Sequence, residues 1–255
     1  MKAYKGFDKD LKCRGFQYEI GKEYEEDRAK LCESGFHACE HPLDCFGYYP
    51  PADSRYCEVD IDDNGQRNDS DTKVCGKKIK IGVEIGLKGL IHAAFEYTKA
   101  NCTNGKMGDD KAALTGGNWS ALTGGNCSAL TGGNWSALTG GNWSALTGGD
   151  SSALTGGDWS ALTGGNRSAL TGGNRSALTG GNRSALTGGD RSVVYGGEGA
   201  KVRAGKGAVL AIQFWKDGEF IGIKFKEVDG VKIKADTYYR LDKAGRFIEV
   251  KDDAG

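Results

Sequence analysis

The sequence has few prolines, no net charge and no long apolar run. It holds 3 prolines among 255 residues, and its 34 basic residues equal its 34 acidic residues. No segment reaches the roughly 18 apolar residues of a membrane helix, and no apolar stretch after Met1 indicates a secretion signal. We therefore expect a cytoplasmic protein that does not act at a membrane, with its eight cysteines mostly reduced.

Glycine, in contrast, is abundant, with 42 residues. Collagen is excluded because glycine does not fall at every third position. Disorder is disfavoured because leucine recurs on a strict period and strand-rich segments flank the glycine-rich part. From Ala113 to Ser192 the chain consists of ten octads of the form Ala-Leu-Thr-Gly-Gly-(Asn/Asp)-x-Ser, and degenerate octads follow.

The octad predicts a β-solenoid with two strands in each coil. In Ser-Ala-Leu-Thr the side chains alternate, so Ser120 and Leu122 share the inner face and Ala121 and Thr123 the outer face. Gly-Gly-Asn is expected to turn the chain, because Gly and Asn tolerate positive φ. Ten octads give five coils stacked about 4.8 Å apart. A helix is disfavoured, because two glycines per octad would cost about 2 kcal/mol relative to alanine.

The residue before the serine of each octad is the most variable one. Alternate octads place it on opposite edges of the solenoid, and both edges change from aromatic to basic along the chain. Trp and Arg are favoured at interface hot spots, so this position supplies the candidate binding residues. They are Trp119, Trp135, Trp143, Trp159, Arg167, Arg175, Arg183 and Arg191. Tandem duplication is the alternative explanation, since it spreads whichever residue was copied.

The octad resembles the repeat of bacterial ice-nucleation proteins, which also runs Ser-x-Leu-Thr-(Ala/Gly)-Gly. The resemblance covers residues 113 to about 200 and implies a β-solenoid. Those proteins present Thr-x-Thr outward, whereas the outward pair here is Ala-x-Thr, as in Ala137 and Thr139. Ice binding, or a structural role of the solenoid, is therefore an alternative hypothesis.

Residues 1 to about 100 predict a compact α+β domain. Strands are expected at KAYKGF, Arg14–Tyr18, Lys22–Tyr24, RYCEVDI and KKIKIGVEIGL. Helices are expected from Pro42 and over GLIHAAFEYTKAN, with His92 in the core. The motifs YKGF, CRGFQYE, GFHAC before PLD, and YYPP resemble a family of uncharacterised phage and Gram-positive bacterial proteins that often carry octad arrays. The resemblance implies a phage-borne protein and assigns no activity.

Cysteine and histidine residues cluster near the middle of this domain. Five side chains of zinc-ligand type lie within fourteen residues, namely Cys32, His37, Cys39, His41 and Cys45. No paired Cys-x-x-Cys is present, and Pro42 opens a predicted helix between the candidates. Buried reduced thiols are therefore favoured over a metal site, and no cofactor is expected.

The order of segments in this domain resembles that of the ADP-ribosyltransferase fold. A short strand, then GFHA, a proline and two tyrosines, and then the strand YCEVDI follow one another. The resemblance implies Glu58, or less favourably Glu19, as a catalytic acid. The residues that would hold NAD cannot be assigned from the sequence, and fold likeness alone does not give activity. An enzyme of this kind is the second alternative.

The last fifty residues predict a β-meander that closes the end of the solenoid. Apolar runs are separated by Asp217-Gly218, by Asp229-Gly230 and by Lys243-Ala244-Gly245, and Asp-Gly between such runs is a strong hairpin signal. A cap of this kind protects exposed strand edges. It is also a candidate surface for a homodimer.

These patterns predict a mainly β protein with three domains: an α+β domain at 1–110, the octapeptide-repeat solenoid at 111–206 and a β cap at 207–255. The favoured function is a non-enzymatic binding or scaffold protein, phage-encoded, that engages or inhibits a host macromolecule such as a defence or nucleic-acid-handling protein. The expected partner is a host or phage protein. Direct nucleic-acid binding is disfavoured, because the regular octads carry four arginines against three aspartates.

Overall fold

The computed structural model describes residues 1–68, 71–101 and 104–250. The chain divides into two compact units, Met1–Tyr97 and Thr98–Lys251. Strands predominate in both units, and the second contains the solenoid, which confirms the predicted fold class.

The N-terminal unit is built around a ring of four antiparallel strands. Its strands are β1 (Lys2–Asp8), β2 (Lys12–Cys13), β3 (Phe16–Gln17), β4 (Glu23–Glu25), β5 (Phe36–Cys39), β6 (Ser54–Asp63) and β7 (Lys73–Ile85). β1 pairs with β5 and β6, and β7 pairs with the same two strands, so the ring closes. The short strand β4 adds to β7, and β2 and β3 form a separate hairpin.

Alternate apolar residues of the long strands form the interior of this unit. Val59 and Ile61 of β6 are buried, as are Ile79 and Ile81 of β7, as the two-residue period of a strand requires. The helix expected from Pro42 is a 3₁₀ helix over Pro42–Gly47, with its proline in the first turn.

Helix α1 spans Leu87–Ala100, where the sequence predicts a helix. Leu90 and Ala94, four residues apart, lie on its buried side. His92 lies between them in the sequence and therefore points to another side of the helix, where it is exposed. The predicted core position of His92 is wrong.

The solenoid spans residues 105–212 in about seven turns. Its strands are β8 (Asn104–Met107), β9 (Ala113–Thr115), β10 (Ser120–Thr123), β11 (Ala129–Thr131), β12 (Ala137–Thr139), β13 (Ala145–Thr147), β14 (Ala153–Thr155), β15 (Ala161–Gly164), β16 (Ala169–Thr171), β17 (Ala177–Gly180), β18 (Ala185–Thr187), β19 (Val193–Gly196), β20 (Lys201–Arg203) and β21 (Val209–Lys216). Even-numbered strands from β8 to β20 form sheet I, and odd-numbered strands from β9 to β21 form sheet II.

Neighbouring strands within each solenoid sheet are parallel and sixteen residues apart, as Leu138 and Leu154 illustrate. This register confirms two octads per coil. The solenoid has more turns than the regular octads provide, because degenerate octads extend it at both ends. In the first of these, Lys106 occupies the leucine position beside Leu122.

Leucine and serine fill the solenoid interior, as predicted. The leucines from Leu122 to Leu186 are all buried and form one continuous core. The serines are buried too, and their hydroxyls are satisfied by the backbone. Ser168 Oγ, for example, donates to the carbonyl of Gly149 at 3.2 Å and accepts from the Ser152 amide at 3.3 Å. Because each of these hydroxyls is hydrogen-bonded to the backbone, burying it does not leave a polar group unpaired.

The two glycines of each regular octad are required by space and not by backbone conformation, so the predicted reason for them is wrong. Neither has a positive φ. A Cβ on the first, such as Gly164, would lie 2.8 Å from Ser168 Cβ and from Leu170 Cδ1 in the core. A Cβ on the second, such as Gly165, would lie 2.2 Å from Asp150 Oδ1 of the preceding coil.

The Asn or Asp of each octad joins successive coils. Asp150 Oδ1 accepts from the Asn166 amide at 2.8 Å, and Asn166 Oδ1 accepts from the Asn182 amide at 2.8 Å. The same bond recurs along both edges. Because only Oδ1 is used, Asn and Asp serve equally, which explains why the sequence alternates between them.

Two hairpins follow the solenoid, and each extends one of its sheets. β22 (Glu219–Glu227) pairs with β21 at the end of sheet II, and Asp217 and Gly218 form the predicted turn with positive φ. β23 (Tyr238–Leu241) pairs with β20 at the end of sheet I and with β24 (Phe247–Val250). The prediction of a hairpin at Asp229-Gly230 is wrong, because the strands on either side of it belong to different sheets. Asp229 Oδ1 instead accepts from the amides of Val231, Lys232 and Ile233 and holds a loop.

Candidate functional site

The variable residue of each octad, here called the corner, lies in the left-handed region of backbone space. Its φ is between 54° and 62° in all ten regular octads. A side chain other than Gly, Asn or Asp is uncommon in this conformation, which costs about 1–3 kcal/mol. The corner amide is used by the fold, since Arg175 N–H donates to the carbonyl of Asp190 at 2.7 Å in the next coil. The fold places no such demand on the corner side chain.

The corners fall on two edges of the solenoid, as the octad period predicts. Edge A carries the corners that precede sheet I strands, and edge B carries those that precede sheet II strands. Edge A comprises Trp119, Trp135, Ser151, Arg167 and Arg183. Edge B comprises Cys127, Trp143, Trp159, Arg175 and Arg191.

Edge B carries a continuous exposed stack. The rings of Trp143 and Trp159 lie parallel, with centroids 4.9 Å apart, and are 59% and 45% exposed. The guanidinium of Arg175 lies 4.8 Å from the Trp159 ring centroid and extends the stack by a cation–π contact. Within the described residues neither Arg175 nor Arg191 has a carboxylate at ion-pair distance, and both are exposed. The edge therefore offers exposed aromatic side chains followed by arginines that form no ion pair among the described residues.

Edge A carries the same residue types in a less accessible arrangement. Trp119 and Trp135 stack at 5.0 Å, but both are half-buried. Ser151 is buried and interrupts the series. Arg167 forms an ion pair with Asp150 at 3.9 Å. The sequence predicted equivalent edges, whereas the structure distinguishes them.

The outer face of sheet II presents the other ordered surface of the repeat. Ala129, Ala145, Ala161 and Ala177 are exposed in register, and so are the threonines two residues after each of them. In sheet I the alanines at 137, 153, 169 and 185 are buried. The outward Ala/Thr lattice is therefore exposed in full on one sheet.

The candidate metal ligands separate into different contacts. His37 Nε2 accepts from the Cys32 amide at 2.9 Å, and the thiols of Cys39 and Cys45 lie together. Hydrogen bonding to Cys45 and burial raise the pKa of the Cys39 thiol. His41 is buried beside the ring of Tyr97. Across residues 1–68, 71–101 and 104–250, no group of three or more His, Cys, Asp or Glu side chains is placed to hold a metal ion.

The candidate catalytic acid Glu58 lies on β6, where it forms an ion pair with Lys2 at 2.8 Å. Glu19 pairs with Lys22 at 2.6 Å on an exposed turn. Both carboxylates lie outside a cavity of the N-terminal unit that Lys5, His37 and Lys73 line.

That cavity has a volume of about 540 Å³, and it brings together side chains from β1, β5, β7 and the intervening turns. Lys5, Arg14, His37 and Lys73 are among its lining residues. Burial, together with the positive charges of Lys5, Lys73 and Arg14, lowers the pKa of His37. The sequence singles out His37 together with Cys32, Cys39 and Cys45, which also line this cavity. It does not single out the three cations, because they stand far apart in the chain and no motif links them.

The N-terminal region is the part of the chain with a recognisable relative. Residues 1–93 match the family model of a domain of unknown function, DUF7666. No curated protein and no solved structure gives a significant match to the chain. The match supports an uncharacterised domain family over the N-terminal unit. In the described part of the chain, no helix combines the length and apolar character that a membrane crossing requires.

Proposed function

We propose that the chain is a non-enzymatic binding protein whose solenoid presents edge B to a protein partner. The supporting observation is the identity of the corner residues. Ten successive octads place a residue other than glycine in left-handed backbone, although the last two corners, Gly199 and Gly207, are glycines with φ of 69° and 71°. Glycine therefore fits the corner without strain, and Trp and Arg are retained for what their side chains contact.

The chemistry of edge B defines the partner surface. Trp143 and Trp159 offer exposed aromatic side chains, and Arg175 and Arg191 offer exposed donors one coil apart. Trp and Arg are enriched among the few clustered residues that carry most of the binding energy in protein interfaces. The matching surface is an apolar groove beside acidic side chains.

The more specific form of this proposal is a phage-encoded protein that acts in the cytoplasm on a host defence or nucleic-acid-handling protein. It is supported by the resemblance of the N-terminal motifs and the octad array to phage proteins. A protein surface is favoured over nucleic acid, because Asp158 and Asp190 line the same recess as Arg175 and Arg191 and reduce its positive charge.

Affinity capture with corner variants tests the proposal. The full chain is compared with a triple edge B variant, Trp159→Gly, Arg175→Gly and Arg191→Gly. Because glycine suits the corner, the variant is expected to fold, and circular dichroism checks this. A protein captured by the native chain should be lost with the variant, and its purified form should bind the variant at least about 100-fold more weakly, about 2.7 kcal/mol.

The matched control is Arg167→Gly on edge A, where the arginine already pairs with Asp150. This variant should capture the same protein as the native chain. The proposal fails if no protein is enriched by the native chain over the edge B variant, or if the purified partner binds both equally.

A further inference from the structure

The cavity of the N-terminal unit contains positive charge that its own carboxylates do not neutralise. Lys5 is 6% exposed, and its ammonium donates to the carbonyl of His37 at 2.8 Å. The same ammonium lies 5.6 Å from the Phe7 ring and 5.7 Å from the Tyr18 ring. Among the described residues no carboxylate forms an ion pair with Lys5. A buried charge without an opposite charge is costly, which marks this position as one shaped for an anion.

Two further cations line the same cavity. Lys73 Nζ lies 3.1 Å from Cys32 Sγ and 4.4 Å from the ring centroid of Tyr48. Arg14 is exposed at the cavity wall and has a left-handed backbone with φ of 50°. Neither forms an ion pair within the part of the chain that the structure describes. The cations of Lys5, Lys73 and Arg14 all act on His37, so their fields overlap inside one cavity.

The carboxylates that line the cavity are already engaged. Glu33 forms an ion pair with Lys30 at 2.5 Å. Glu26 Oε2 accepts from the Gly35 amide at 3.1 Å. Neither carboxylate forms an ion pair with the three lining cations, and the cations outnumber the two carboxylates, so net positive charge remains available to a ligand.

Aromatic rings provide the remaining wall. Phe16 and Tyr18 pack edge to face at 4.8 Å, and Tyr48 and Tyr49 also line the cavity. Phe16 is 51% exposed and Tyr48 is 44% exposed, so flat apolar surface remains open to a bound group. A volume of about 540 Å³ lies within the range of small-molecule sites.

We propose that this cavity binds a small organic phosphate that carries a flat ring. Lys5, Arg14 and Lys73 would hold the phosphate, because cationic donors form charge-assisted hydrogen bonds to its oxygens. The exposed rings of Phe16 and Tyr48 would pack against the flat group of the ligand. The inference rests on the N-terminal unit alone and is independent of edge B.

Calorimetric titration of the full chain tests this site. The probes are ADP, UDP and flavin mononucleotide, their unphosphorylated counterparts adenosine, uridine and riboflavin, and inorganic phosphate. At least one ring phosphate should bind more tightly than about 1 mM. Its unphosphorylated counterpart and inorganic phosphate should each bind at least about tenfold more weakly, and added salt should weaken the binding.

Variants identify the cavity as the location of binding. Arg14→Gln and Lys73→Gln should each weaken the bound ring phosphate about tenfold or more, and neither side chain belongs to the buried core. The matched controls are Lys9→Gln and Lys77→Gln, which remove exposed lysines outside the cavity and should leave affinity unchanged. Absence of binding by all three ring phosphates, or equal binding by cavity and control variants, overturns the proposal.

Discussion

The regular octads and the degenerate octads of the solenoid place different residues at equivalent positions. The second glycine is kept at Gly197 and Gly205, where a Cβ would meet Asn182 and Asp190 of the preceding coil. In the first octad of the solenoid, residues 105–112, Asp109 replaces the second glycine. No coil of the solenoid precedes this octad, so a side chain at this position meets no residue of an earlier coil. Asn and Asp give way to Glu198 and Lys206 in the last two octads, after which no solenoid corner needs their Oδ1.

This difference separates residues that build the solenoid from residues that it carries. The second glycine and the Asn or Asp occur where a neighbouring coil requires them and are replaced where it does not. Trp and Arg follow no such rule, since Gly199 and Gly207 occupy the same corner while coils still stack there. The corner side chain is therefore the part of the octad that the fold leaves free.

The largest effect on stability is expected from substitution of a second glycine that packs against a preceding coil, compared with the same substitution where no solenoid coil precedes it. Gly165→Ala should lower the free energy of unfolding by about 3 kcal/mol or more, because its Cβ would lie 2.2 Å from Asp150 Oδ1 and 2.7 Å from the Asp150 amide nitrogen. A Cβ at Gly117 would meet no atom of the described residues within 4 Å, so Gly117→Ala should change stability little. All five tryptophans lie between residues 119 and 215, so their fluorescence follows unfolding of this unit. Equal destabilisation by both changes would contradict the spatial explanation.

A smaller effect is expected from the ladder that joins the coils. Asn166→Leu leaves the Asn182 amide without its acceptor and should cost about 1–3 kcal/mol. Asn166→Asp keeps Oδ1 and should cost less than about 0.5 kcal/mol, as the natural alternation of the two residues implies. Denaturant titration of the two variants compares them. If Asn166→Asp lowered the free energy of unfolding by much more than about 0.5 kcal/mol, the side-chain NH₂ group of Asn166 would have a further role.

A change of opposite sign is expected at the corner. Arg191→Gly relieves left-handed strain and removes a side chain without an ion pair among the described residues, so the solenoid should gain up to about 1 kcal/mol. Thermal unfolding measures this gain. Loss of stability by more than about 1 kcal/mol would mean that the regular corners do support the fold, and would remove the contrast with Gly199 and Gly207.

The smallest effect is expected in the N-terminal unit, which lacks repeats. His37 has a pKa below its ordinary value of 6.5 in the folded chain, chiefly because of burial, so the unfolded chain takes up a proton first as pH falls. Stability from the neutral imidazole is complete above about pH 6.5 and decreases as pH drops below it. Labelling of the buried Cys57 thiol, expressed relative to the labelling rate of the denaturant-unfolded chain at the same pH, should therefore increase between about pH 6.5 and pH 5.

His37→Gln should flatten this pH dependence, because glutamine does not titrate. His92→Gln serves as the control, since His92 is exposed on α1. A profile that changes with His92→Gln and persists with His37→Gln would assign the dependence to the wrong histidine.

The solenoid could be predicted from the sequence because the pattern that determines it is contained within eight consecutive residues. A leucine every eight residues, flanked by serine and threonine, determines strand, face and coil without reference to distant residues. The function of the glycines was misassigned because their constraint comes from Asp150 and equivalent residues sixteen positions away. The hairpin predicted at Asp229 was wrong because Asp-Gly also occurs in loops. Here Asp229 Oδ1 accepts hydrogen bonds from three backbone amides and stabilises a loop.

The candidate sites were predictable to different degrees. The corner residues follow from the period, although the contrast between edge A and edge B does not. The N-terminal cavity could not be predicted, because Lys5, His37 and Lys73 meet through pairing of β1, β5 and β7, strands that are far apart in the chain. No spacing in the sequence records that pairing.

Because each coil contains two octads, it matters whether the number of octads in the array changes by an odd or an even number. Adding or deleting one octad turns everything that follows by half a coil and exchanges the edges from that point. Loss of residues 145–152, for example, would place Trp159 after Trp135 on edge A and transfer Arg175 and Arg191 there. Gain or loss of two octads preserves the edges and changes only the length. Copy number along this chain therefore sets both how far the solenoid extends and which of its edges carries which chemistry.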